Sequence, residues 1–202
     1  MKFSGNITKR FMTQRGFTLI ESLAAMVALL MITAALFWIL LTGKTLWQAS
    51  VIRSYDRQEL QISYQKIEND LQNSNVDTIT NNTTSTVVAF SFLSAFDSSG
   101  NFTAASDGSP VWQKYVIYYI PSGTKKLMRK EVYGSYTKAL TTSQLTTYCD
   151  GSGMTVANTV AGLSLTTDTA TDSATITITT QNKNQLGRAD QQSLTSTVFL
   201  RN

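Results

Sequence analysis

The chain of 202 residues contains no histidine and a single cysteine, Cys149. One cysteine cannot close a disulfide within the chain, so a small disulfide-stapled module is excluded. Without imidazole, and with one thiol, the usual zinc sites and every histidine-based catalytic pair are excluded as well. Proline occurs twice and first at Pro110, so no ring interrupts a helix in the first half of the sequence. Acidic residues are missing ahead of Phe17, where Lys2, Lys9, Arg10 and Arg15 all lie. Taking those four from the 17 basic residues leaves 13 against 13 acidic ones, so the formal net charge of +4 belongs to the leading segment. The neutral remainder gives no bulk-charge argument for a nucleic-acid binder.

Hydrophobicity is concentrated in one place. "FTLIESLAAMVALLMITAALFWILL" runs from Phe17 to Leu41, while the rest is rich in Thr, Ser, Asn and Gln. As a helix this run rises about 37 Å at 1.5 Å per residue, enough to cross a hydrocarbon layer of roughly 30 Å. Basic residues before it, with only Lys44 close behind, place the N-terminus in the cytoplasm and the remainder outside. The run exceeds the ~7 to 15 apolar residues of a cleavable secretory signal, although "TGKTLWQAS" after it could be fitted to a small-x-small cut site. A single carboxylate, Glu21, sits just inside the run. Ionised there it costs several kcal/mol, so a partner or an outward-snorkelling pose is needed.

The residues "RGFTLIES" resemble the processing site of type IV prepilins and of the pseudopilins of type II secretion systems. The resemblance rests on residues 15–22 and extends in kind to the helix that follows. It implies that a prepilin peptidase cuts between Gly16 and Phe17 and that Phe17 becomes an N-methylated terminus. It also implies that Glu21 is the acid of the fifth mature position. The new α-amine, with an ordinary pKa near 7.7–8.0, would supply the missing cation. That amine and Glu21 lie about one turn apart in one chain. The resemblance favours instead the pairing of Glu21 with the terminus of a neighbouring subunit, which offsets desolvation only on assembly.

Ala24 and Ala28 are four residues apart, and Ala25, Ala34 and Ala35 add small positions. They suit close helix packing, or they are the alanines common in membrane spans. Many major pilins carry a proline midway along the apolar segment, whereas this chain reads "ALFWILL" there, which suits a minor or initiating subunit.

Beyond Lys44, Trp47, Val51 and Tyr55 and then Leu60, Tyr64, Ile67 and Leu71 recur every three to five residues, with Arg53, Arg57, Gln61, Lys66 and Asp70 between them. The spacing predicts one helix from about Phe17 to Asn73, roughly 85 Å long, whose second half lays an apolar stripe on a globular head. Strands are predicted at 85–93, 111–120, 125–133, 173–180 and 192–200 from their β-branched and aromatic content. "PSGTK" reads as a hairpin turn between the second and third of these. The fold class is α+β, pilin-like: a long N-terminal helix packed on an antiparallel β-sheet head. The divisions are a leader at 1–16, a membrane or filament-core helix at 17–42, its amphipathic continuation at 43–74 and a β-rich head at 75–202. A strand reading "W..Y.IYY", its turn and the closing "STVFLRN" resemble the J-type pseudopilins and larger minor pilins, and Glu21 counts against the K-type tip subunit.

Lys125, Lys126, Arg129 and Lys130, with Tyr115, Tyr118, Tyr119 and Tyr133 nearby, would make a basic aromatic patch for DNA, or a solvated hairpin whose charges alternate between faces. Asp168 and Asp172 offer oxygen ligands for calcium without the spacing of an EF-hand loop, or form a polar turn. Cys149 is free or pairs between chains, and has no strongly basic flank. No cofactor or metal is expected. The resemblance implies a minor pilin or pseudopilin that initiates assembly or sits near the tip, with a binding module for DNA uptake or adhesion as the alternative. Its implied partners are other pilin or pseudopilin subunits, the prepilin peptidase, the inner-membrane assembly platform and membrane lipid. A signal-anchored enzyme is disfavoured because no nucleophile and base stand in a suitable arrangement.

Overall fold

A computed structural model of the chain describes residues 18–83, 87–183 and 189–200. It divides into two compact units, one ending at Trp47 and the other beginning at Gln48. Helix α1, Leu19–Leu71, contributes residues to both. It is a single uninterrupted helix because nothing within it lacks a backbone N–H, and it ends where "QNSN" supplies polar turn formers. There Asn75 caps a 3-10 turn, Val76–Thr78, by accepting from the N–H of Asp77.

Strands β1, Thr80–Thr83, β2, Val88–Ser94, β3, Lys114–Ile120, β4, Leu127–Tyr133, and β5, Met154–Ala157, form one antiparallel sheet in chain order. The β3–β4 hairpin turns at "PSGTK", as expected, with Gly123 at φ 73°, a conformation natural to glycine. Strands β6, Val160–Asp168, β7, Ser173–Lys183, and β8, Ala189–Phe199, form a second antiparallel sheet. The short helix α2, Thr142–Tyr148, opens on a capping box in which Thr141 and Gln144 satisfy each other's backbone N–H groups.

The five-stranded sheet is covered on both faces, which is why β3 reads as a nearly continuous apolar run with all seven residues buried. Even-numbered residues of its central strands, such as Phe90, Phe92, Val116 and Tyr118, join Leu60, Ile67 and Leu71 of α1 and Leu165, Ile176 and Ile178 of the second sheet in one core. Odd-numbered ones, Ala89, Leu93, Ile117 and Tyr119, pack with Leu140 and Leu145 in another.

One expectation for α1 is corrected. Trp47, Val51 and Tyr55 do not share the head-facing stripe: they are 72%, 51% and 53% exposed. The step of five from Tyr55 to Leu60 turns the helix by about 140° away from a shared face. The face that is buried carries Asp56, Glu59, Leu60, Ser63, Ile67 and Leu71, so half of it is polar. The sequence reading also missed β1, β5, β6 and α2.

Candidate functional site: the apolar helix and its charged anchors

Gly16 and Phe17 lie outside the described residues, which begin at Thr18. From there the N-terminal turn is self-contained. Glu21 Oε2 accepts from the Thr18 N–H at 3.0 Å and from the Thr18 hydroxyl at 3.1 Å, while Thr18 Oγ1 accepts from the Glu21 N–H at 3.4 Å. This is a capping box, so in the single chain Glu21 holds down the first turn of its own helix. Thr18 was overlooked in the sequence reading, although "TLIE" ahead of an apolar run carries the required T-x-x-E spacing.

Every described residue from Thr18 to Leu46 is exposed, Ala24 and Ala28 included. Leu30 is 68% and Trp38 71% accessible. Apolar surface on that scale requires lipid or other helices around it, and α1 is long and apolar enough in this part to cross a membrane. Its few hydroxyls are compatible with hydrocarbon because each is spent internally. Ser22 donates to the Leu19 carbonyl, Thr33 to those of Leu29 and Leu30, Thr42 to that of Trp38, and Thr45 to that of Thr42.

In the second unit, α1 is pinned by three carboxylates. Asp56 accepts from the Asn182 amide at 3.3 Å. Glu59 Oε2 collects the N–H groups of Asn158 and Thr159, at 3.0 and 3.1 Å, and the Thr159 hydroxyl at 2.7 Å. Burial works against the charge of Glu59, but those hydrogen bonds, led by the Thr159 hydroxyl, hold its pKa below the usual carboxylate value. Asp70 accepts from the Tyr118 hydroxyl at 2.7 Å and pairs with Arg129 Nε at 2.6 Å. Arg129 reaches on to Glu131 at 2.6 Å, and Lys114 Nζ meets the same Glu131 oxygen at 2.9 Å. Glu131 is opposed by burial, yet hydrogen bonds from Tyr133 and Lys114, with the Arg129 guanidinium, bring it down to about 2.

Since Glu131 titrates near 2 folded against about 4.5 unfolded, its contribution to stability is complete above pH ~4.5 and is lost as the pH falls towards 2. Glu59 acts in the same direction. Urea unfolding followed by circular dichroism should show stability falling as the pH is lowered below about 4.5, with a shallower fall in Glu131→Gln. An unchanged pH slope in that variant would remove Glu131 from the account.

The basic residues singled out in the hairpin do not come together. Lys125 donates to the Gln181 carbonyl at 2.8 Å and Lys126 is exposed. Arg129 points towards α1, whereas Lys130 points to the other face and pairs with Asp150 at 2.8 Å. Tyr115, Tyr118 and Tyr119 are buried, and Tyr133 is half exposed. Asp168 closes the β6–β7 turn by accepting from the Thr171 hydroxyl and the Ala170 N–H, while Asp172 occupies the turn at φ 46°. No group of three metal-ligating side chains occurs among the described residues. Cys149 is half-buried at the end of α2. Its thiol donates to the Leu145 carbonyl, and burial, with the Asp150 charge beside it, pushes its pKa up to about 11.

Residues 11–37 match the family model of the prokaryotic N-terminal methylation motif. No curated protein and no solved structure matches the chain. The matched segment spans the Gly16–Phe17 junction, Thr18, Glu21 and most of the exposed apolar helix, so the motif coincides with the part of the chain that cannot remain in water. That motif implies processing by a prepilin peptidase and assembly with other pilin subunits. The chain is therefore pilin-like: a methylation motif on a long apolar helix, joined to an α+β head with two antiparallel sheets.

Proposed function

We propose that this protein is a minor pilin or pseudopilin, a non-catalytic subunit of a type IV pilus or type II secretion pseudopilus that acts in initiation or near the tip. Before assembly it is a single-pass inner-membrane protein with its N-terminus in the cytoplasm and its head outside. The prepilin peptidase removes residues 1–16 and Phe17 is methylated, after which the assembly platform draws the helix out of lipid and into a helical bundle. The observation that carries this reading is Glu21, a lone acid in the first turn of α1, whose apolar first half is exposed, within the matched motif. The minor role is supported by α1 continuing without proline to Leu71.

Mass spectrometry of native material should find a chain beginning at Phe17 and carrying one added methyl group. A mature protein that retains Met1, or one cut near Ser50, would refute the assignment.

A further inference from the structure

Sheet edges expose unpaired N–H and C=O groups, and proteins blunt them by shortening, bulges, charge or cover. Most edges here are treated in this way. Strands β1 and β5 have four residues each, and β4 is joined to β5 across a bulge. Strand β6 carries a bulge near Val160, and its Leu165 carbonyl accepts from the Asn81 amide. The remaining edge differs. Strand β8 pairs with β7 over eleven residues without a bulge, and its other side pairs with no strand among the described residues. From Gln191 to Phe199 it has no charge, proline or glycine, and Phe199 is 72% exposed.

A groove of about 730 Å³ runs beside this strand, lined from α1 by Arg53, Arg57, Leu60 and Gln61 and from β8 by residues 192–194. Leu194 packs towards the core, whereas its neighbour Ser193 belongs to the solvent face. A groove that touches both must follow the strand's edge. Its floor is apolar at Leu60 and Leu194. Its rim carries the exposed Arg57, and no acid lines it among the described residues. Tyr64 and Ser196, hydrogen-bonded at 2.9 Å, tie helix to strand further along.

We propose that β8 is a docking edge that receives an extended, acidic segment of another polypeptide as a further antiparallel or parallel strand. Main-chain bonds to β8 supply the affinity, alternate apolar side chains rest on Leu60 and Leu194, and a carboxylate meets Arg57. The basic rim favours an acidic partner over a second copy, whose own β8 offers one acid, Asp190 near its start, and none along Gln191–Phe199. The inference concerns the head and holds whether or not α1 enters a filament.

The test uses the full chain in detergent and a fluorescent peptide of about nine residues, matching Gln191–Phe199 in length, that alternates valine and threonine with two glutamates. A lysine counterpart and an analogue N-methylated at alternate residues along its pairing edge serve as comparisons. Fluorescence anisotropy should show the glutamate peptide binding about tenfold more tightly than the lysine peptide, with the N-methylated form losing binding. Hydrogen exchange should slow at 191–199. Arg57→Glu should reverse the preference, and its binding of the lysine peptide shows that the variant is folded. The proposal is overturned if the glutamate peptide does not bind at about 1 mM, if both peptides bind equally, or if protection appears elsewhere. Self-association that protects 191–199 would also overturn it, in favour of a second copy.

Discussion

Replacing Glu21 by glutamine should abolish incorporation into filaments while leaving membrane insertion and the first helical turn intact. Glutamine at this position can still accept from the Thr18 N–H and hydroxyl, so the capping box survives. Only the charge is lost. If Glu21 neutralises a cationic terminus in the low dielectric of a helical bundle, removing it leaves that cation unpaired at a cost of about 3 kcal/mol or more, roughly a hundredfold in the assembly equilibrium. Thr18→Val makes the complementary change: it keeps the charge and removes the cap hydroxyl, for an expected loss of about 0.5–2 kcal/mol of helix stability and a milder assembly defect. Sheared filament and membrane fractions from cells producing each variant, compared by immunoblot, distinguish the two roles. Wild-type incorporation of Glu21→Gln, with failure of Thr18→Val, would make Glu21 a capping residue only.

Arg129→Met should be among the most destabilising single changes in the head. The Arg129 side chain is 12% exposed and bridges Asp70 of α1 to Glu131 of β4. Without it Glu131 retains Lys114 and Tyr133, but Asp70 is left with the Tyr118 hydroxyl. An uncompensated carboxylate in that position costs about 3–5 kcal/mol, or roughly 10 °C in Tm for a domain of this size. The double variant Asp70→Leu with Arg129→Met removes both charges and should recover much of the loss, because a buried ion pair gains little over well-packed apolar side chains. Lys126→Ala, at an exposed position four residues from Arg129's neighbour Lys130, should stay within about 0.5 kcal/mol of wild type. Thermal unfolding of the detergent-solubilised proteins measures all of these, and an Arg129→Met variant within 1 kcal/mol of wild type would refute the bridge.

These two sites differ in how far they could be read beforehand. Glu21 was legible because its argument is contiguous: a glycine, an apolar residue and a carboxylate four places on, set against an unbroken hydrophobic run. Thr18 and the box at Thr141–Gln144 were equally local, and their T-x-x-E and T-x-x-Q spacings were the available signals. Asp70, Arg129 and Glu131 carried no such signal. In sequence they are polar residues of an amphipathic helix and a hairpin strand, where solvent is the ordinary expectation.

The membrane-length helix, the α+β character, the β3–β4 hairpin and the cluster at residues 16–21 were determined by the sequence alone, since each depends on side-chain periodicity or on neighbours within a turn. Tertiary structure decided which face of α1 meets the head, that strands gather into two sheets rather than one, and that Asp56, Glu59 and Asp70 become interior anchors. Those outcomes depend on partners far along the chain, such as Asn182, Thr159 and Arg129. A carboxylate enters a core only where donors converge on it, and that convergence exists only once the sheets have formed.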